Sequence, residues 1–138
     1  MRYNNYHKHT HYSNIFTPDT HTKIENYIQR AVELGHITYF TTEHGSGGDI
    51  FEAKTLCIEH GLKCIFALEA YIVVDQSEKD NRNYHIMLIA RTDKGRRKLN
   101  KINSKANIDG FYYKPRLSVS DLLTLDKDDI YITTACMG

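Results

Sequence analysis

Cys64-Ile65-Phe66-Ala67-Leu68 is an unbroken apolar run, and no other segment limits the possible folds so tightly. A strand with one wet face alternates polar and apolar residues, whereas an unbroken run is expected of a strand covered on both faces. Tyr84 to Ala90 is a second run of this kind. Around them, helix and strand signals alternate. Ile24, Tyr27, Ile28 and Ala31 follow the i, i+3, i+4, i+7 spacing of a helix over Lys23 to Leu34, with Gly35 placed just past its end. Ile37 to Thr42 is β-branched and aromatic, hence a strand, and leads into the glycine-rich loop Glu43-His44-Gly45-Ser46-Gly47-Gly48. Asp49 with Glu52 reads as a capping box opening a second helix that ends at Gly61. Lys94 to Ala106 is a basic helix, Ser118 with Asp121 opens a short one, and Ile130 to Ala135 is the last strand. This alternation predicts a largely parallel α/β sheet, open or curled towards a barrel.

At 138 residues the chain is one domain at most, large enough to bury a core. Its formal charge of +1 excludes a protein that binds nucleic acid through overall charge, so any basic surface for a partner is local. Lys94, Arg96, Arg97, Lys98, Lys101 and Lys105 read as the solvated face of a helix, with a phosphate-backbone contact as the alternative. No apolar run of about 18 residues is present, and Met1-Arg2-Tyr3-Asn4-Asn5 lacks the apolar core of a signal peptide. No membrane association and a cytoplasmic location are therefore expected. The three cysteines, Cys57, Cys64 and Cys136, lack CxxC spacing and are expected to be thiols.

The chemistry concentrates in Tyr6-His7-Lys8-His9-Thr10-His11-Tyr12-Ser13. If His7 to His9 ends a strand, the period of 2 sends His7, His9 and His11 to one side and Lys8 to the other. One strand would then deliver imidazoles to one metal ion. His7, His9, His44, Glu69, His85 and Cys136 each fall in or just beyond the end of a predicted strand, His85 alone lying near the start of its run. In α/β folds the carboxyl ends of strands share a rim, so these residues are expected to converge. Imidazole, carboxylate and thiolate suit zinc, and imidazole with carboxylate also suits manganese or iron, so a multinuclear site is expected.

These residues carry a resemblance to the polymerase and histidinol phosphatase (PHP) family, in the branch found at the N-terminus of bacterial and phage DNA polymerase III alpha subunits. The similar segments are His7-Lys8-His9-Thr10-His11-Tyr12-Ser13, Thr42-Glu43-His44-Gly45, Gly61-Leu62-Lys63-Cys64-Ile65 and Glu69-Ala70-Tyr71. Tyr84 to Ala90, Gly110-Phe111-Tyr112-Tyr113-Lys114-Pro115-Arg116 and Thr134-Ala135-Cys136-Met137-Gly138 favour the polymerase branch. Glu43 stands where the family usually has aspartate, and Ala67 where it often has glycine.

The resemblance implies a distorted (βα)7-type barrel, here a truncated portion with about five strands and flanking helices. It implies two to three divalent ions, Zn2+ or Mn2+. His7, His9 and Glu69 would hold the first, with Glu69 bridging to a second held by His85 and Cys136. Asp19 and His44 would hold a third, unless Asp19 is only a helix N-cap. The implied chemistry is phosphoester hydrolysis, as a 3′ to 5′ exonuclease or proofreading-related activity on single-stranded DNA or a primer 3′ end. His7, His9, Glu69 and His85 would act through the bound metals. Arg116, in a predicted loop, is the expected substrate-phosphate contact. Two other roles stay open: a non-catalytic module that braces a polymerase or binds a proofreading subunit, and a small-molecule phosphatase. The family's last motif, Asp-x-His, is expected beyond Gly138, which makes residues 1–138 a C-terminally truncated PHP domain. Such a chain is expected to form a homo-oligomer, to hydrolyse weakly or not at all, and to have no polymerase activity.

Overall fold

The apolar run forms the first half of a strand of 11 residues, longer than the run itself because Glu69 to Val73 continue the pleat. The computed structural model describes residues 3–16, 18–79 and 82–136. In chain order it comprises a 3-10 turn (His11–Ile15), α1 (Ile24–Glu33), β1 (Thr38–Thr41), α2 (Ile50–Glu59), β2 (Lys63–Val73) and β3 (Tyr84–Ala90). Then follow α3 (Asp93–Ile108), β4 (Phe111–Tyr112), β5 (Lys114–Ser118), α4 (Val119–Leu122) and β6 (Ile130–Thr134). Gly35 and Gly61, both at φ +69°, end α1 and α2 in the left-handed conformation that glycine adopts without strain.

The strands form a six-stranded sheet in the order β4-β5-β2-β3-β6, with β1 also on β2. One edge of β2 carries β1 beside Lys63 to Phe66 and β5 beside Tyr71 to Val73, both parallel. Its other edge carries β3, antiparallel, and β6 pairs antiparallel with β3. The sheet is therefore mixed rather than largely parallel. The connection from β2 to β3 has no helix among its described residues, so the chain turns back directly instead of crossing over.

The period of 2 sorts β2 onto two faces. Phe66, Leu68, Ala70 and Ile72 pack with Leu99, Ile102 and Ala106 of α3, and with Leu88, Leu117 and Ile130, as the main core. A second core joins Ile24, Ile28 and Ala31 of α1 with Ala53 and Cys57 of α2, Tyr39 and Leu62. The alternate positions Ala67, Glu69 and Tyr71 face the other way, and register sets Met87 and His85 of β3 beside Glu69 and Tyr71. That face carries the polar residues.

Two local expectations are corrected. His7 to His9 forms no strand, and the following 3-10 turn is capped by the Thr10 side chain. Asp49 precedes α2 but makes no side-chain cap, since its backbone is already helical. The short helix α4, by contrast, has the full Ser118–Asp121 capping box. Met137 and Gly138 of the C-terminal motif lie outside the described residues. No described helix is long and apolar enough to cross a membrane.

Candidate metal centre

Glu69 projects from the face of β2 opposite α3 and is fully buried. A lone buried carboxylate is costly unless it is paired, and here both oxygens are. His7 Nε2 lies 2.6 Å and His9 Nε2 3.0 Å from Oε2. His85 Nδ1 lies 2.8 Å and Cys136 Sγ 3.3 Å from Oε1, with the sulfur 3.0 Å from His85 Nδ1. His44 Nδ1 is 3.8 Å from Oε1, and its Nε2 is 3.0 Å from Asp19 Oδ2. Three donor groups overlap: His7, His9 and Glu69; His9, Asp19 and His44; His44, Glu69 and His85.

Each side chain has a local cause for its position. Lys8 is clamped to Thr42, its N–H donating to Oγ1 at 3.0 Å and its carbonyl accepting from that hydroxyl at 2.5 Å. The Lys8 ammonium points away, donating to the Phe40 carbonyl and lying over the Tyr39 ring. His7 and His9 are thereby turned to the opposite side, as the period of 2 requires. His11 is not with them, because the 3-10 turn breaks that period and leaves His11 exposed beside Tyr12. His44 forms an isolated parallel bridge with Glu69, continuing the edge of β2 past β1. The next residue, Gly45, has φ +55°, and a Cβ there would lie 2.6 Å from Pro115 Cγ and 3.1 Å from the Tyr71 ring. His85 starts its strand, but because β3 runs antiparallel its start lies at the same rim as the ends of β2 and β6. Cys136 reaches that rim just beyond β6.

The charges fit a cation site. Burial alone would raise the Glu69 pKa, yet hydrogen bonds from His7, His85 and His9 hold the carboxyl far below the ordinary carboxylate range. Burial opposes a charge on His9, but the hydrogen bond and charge of Glu69 raise its pKa. Burial and the neighbouring His9 ring lower His44 to about 4, which leaves a neutral imidazole. Its Nδ1 is buried without a hydrogen-bond partner and faces Glu69. Desolvation and Glu69 push the Cys136 thiol up to about 11. The Nε2 atoms of His7 and His9 are 3.2 Å apart and converge on one carboxylate oxygen. Nitrogens, carboxylate oxygens and a sulfur converging this closely, one nitrogen orphaned, are a donor set for divalent ions.

His7, His9, Asp19, His44, Glu69, His85 and Cys136 are thus brought together. Asp19 caps no helix: the N-cap of α1 is Lys23, without a side-chain cap bond. Arg116 is not available to a substrate. It lies in β5 rather than a loop, is 4% exposed, and donates to the carbonyls of Gly110, Glu78 and Gln76. Much of the basic stretch on α3 is spent on ion pairs, Lys94 with Asp126 and Asp129, Arg96 and Arg97 with Asp93, Lys105 with Asp121. Residues around the ligands escape a reading of the sequence. Asn83 Oδ1 lies 3.2 Å from His85 Nε2, and Ser13 and Glu43 stand behind His9 and His44. Ser13 lies within the first motif, but spacing does not reveal its contacts.

Three similar proteins are called DNA polymerase III subunit alpha. That of Treponema pallidum is 30% identical over 96% of this chain and 12% of its own length. That of Aquifex aeolicus is 31% identical over 95% and 12%, and that of Helicobacter pylori 32% identical over 95% and 11%. The chain thus spans a small part of the curated relatives it matches. A solved structure from Bifidobacterium adolescentis, assigned as a metal-dependent phosphoesterase, covers 72% of this chain and 31% of its own, at TM-score 0.49 and 20% identity. Residues 5–138 match the PHP domain, and this chain belongs to the PHP domain family.

Proposed function

We propose that this chain is a metal-dependent phosphoesterase domain that acts on a DNA 3′ end as part of a DNA polymerase III alpha subunit. The observation that carries the proposal is the convergence of His7, His9, His85 and Cys136 on the two oxygens of one buried carboxylate, Glu69. Asp19 and His44 extend the cluster on one side. His7, His9 and Glu69 would hold one divalent ion, Glu69, His85 and Cys136 a second, and Asp19 with His44 a third, with Zn2+ or Mn2+ favoured by imidazole and thiolate. Such ions supply an activated water and neutralise charge on the phosphoryl group.

The protein's own part is to hold the donors rigid and to orient the phosphate. Glu69 is locked to the loop after β1 by two main-chain hydrogen bonds, its N–H donating to Glu43 and its carbonyl accepting from Gly45. Tyr71 forms a wall, its ring 4.9 Å from His85 and 5.7 Å from His44. Lys114 places its ammonium 4.6 Å above that ring, and we assign it the substrate-phosphate role that Arg116 cannot fill. Relatedness to polymerase subunits favours DNA over a small phosphate monoester as the substrate. Release of nucleotide from single-stranded DNA, 3′-labelled and supplied with Mn2+, tests the proposal. Wild-type protein should release label slowly and Glu69→Gln none at all; equal release by both would refute the proposal.

A further inference from the structure

We propose that Ser13, held by Glu43, sets the tautomer of His9, so that Nδ1 carries the proton and Nε2 is presented as a bare ligand to the metal centre. The proposal rests on the metal-binding reading of the site and adds two positioning residues to it.

Three groups meet at the Ser13 hydroxyl. It donates to Glu43 Oε2 at 2.5 Å, it accepts the His44 main-chain N–H at 3.1 Å, and it lies 3.1 Å from His9 Nδ1. A hydroxyl has one proton and two acceptor sites. Its proton is committed to Glu43, whose two carboxylate oxygens also accept the Thr10 N–H at 3.1 Å. With the donor used and one acceptor site taken by His44, only the second acceptor site faces His9. His9 Nδ1 must therefore donate, and a neutral ring then has its lone pair on Nε2. That atom is the one aimed at Glu69 Oε2, 3.0 Å away. In the doubly protonated ring Nε2 also donates to Glu69; once that proton has left, two lone-pair atoms face each other at this distance and repel until a metal cation lies between them.

The arrangement is buried and therefore strict. Ser13, Thr10 and Glu43 are almost wholly shielded from water, so no solvent molecule can substitute freely for a missing partner. The same hydroxyl ties the first histidine motif to the loop after β1, since His44 is the residue whose N–H it accepts. Ser13 thus acts on two candidate ligands at once, through the ring of one and the backbone of the other. It touches neither substrate nor metal and is a positioning residue.

The test is a long-range 1H–15N spectrum of the histidine rings of the full chain, with His9 assigned by its loss in His9→Asn. It is recorded without metal above the imidazole titration range and again with Zn2+, which is diamagnetic. Wild type should show His9 protonated on Nδ1 in both states. Ser13→Ala should move the metal-free ring towards the Nε2–H form and weaken Zn2+ binding about 10- to 100-fold by calorimetry. Ser13→Thr, which keeps the oxygen, should restore the wild-type tautomer. A wild-type ring protonated on Nε2 would overturn the proposal whatever the variants do, as would a Ser13→Ala protein that keeps both tautomer and affinity. Failure of the wild type to bind Zn2+ would sink the metal reading, while the metal-free ring spectrum would still decide the role of Ser13.

Discussion

Glu69 is the residue on which the site depends, because each of its oxygens serves different donors. Glu69→Gln keeps the shape and removes the charge, and should lower Zn2+ or Mn2+ affinity by more than about 100-fold, since even outer contacts to a metal site cost about 10- to 100-fold. His60→Ala, at the exposed end of α2, should leave metal content unchanged in elemental analysis. Equal losses in the two variants would exclude a bridging carboxylate. Affinity should also strengthen as pH rises, because the His9 ring has a raised pKa and must lose a proton to ligate. Asp49 is a second unusual carboxyl: both oxygens are buried without hydrogen bonds, and burial with the Glu43 charge pushes it up to about 7. Its pKa is higher folded than unfolded, so its contribution is complete below about pH 4 and is lost as pH rises through about 7. Asp49→Asn removes that slope and should gain on the order of 1–3 kcal/mol over the wild type between about pH 5 and pH 7.5. Parallel pH–stability curves for the two proteins would show that Asp49 is solvated.

At the scale of elements, the corner formed by β4 and β5 separates two cations that are near neighbours in sequence. Arg116 points inwards and pins the connection from β2 to β3 through the Gln76 and Glu78 carbonyls, with Gln76 donating back to the Arg116 carbonyl. Lys114 lies over Tyr71 beside the candidate centre. Opposite effects are therefore expected from changing them. Arg116→Lys should cost about 2–4 kcal/mol of stability, because a single ammonium cannot serve carbonyls on separate turns, and should leave KM unaltered in the folded fraction. Lys114→Ala should stay within about 0.5 kcal/mol of the wild type in denaturant melts yet raise KM for single-stranded DNA several-fold. A KM unaffected by Lys114→Ala would remove Lys114 from the substrate site.

For the molecule as a whole, the site is a junction. Its donors come from the segment before the 3-10 turn, the loop before α1, the loop after β1, the middle of β2, the start of β3 and the residues just beyond β6. A ligand that binds only the assembled site stabilises the entire fold, by about 2.7 kcal/mol when present at 100 times its dissociation constant. Saturating Zn2+ or Mn2+ should accordingly raise the melting temperature by roughly 8–10 °C, a chelator should reverse the gain, and Glu69→Gln should abolish it. A melting temperature indifferent to both metal and chelator would mean that the donors do not bind as one site.

Local pattern determined a good part of this protein. α1 follows from apolar spacing and Gly35, the end of α2 from Gly61, and the α4 capping box from two residues three apart. The motif residues from His7 to Cys136 were legible as a candidate ligand set because imidazole, carboxylate and thiolate recur near strand ends. What periodicity could not carry is direction and depth. Whether a strand returns parallel or antiparallel depends on the crossover between strands, and the antiparallel β3 is what brings His85 to the common rim. Arg116 and Lys114 are equally polar in the sequence, and only packing decides that one is buried against carbonyls while the other lies over Tyr71. Ser13 meets Glu43 and His44 across about thirty residues of chain, a contact set by tertiary closure and by the need of each buried polar group for a partner.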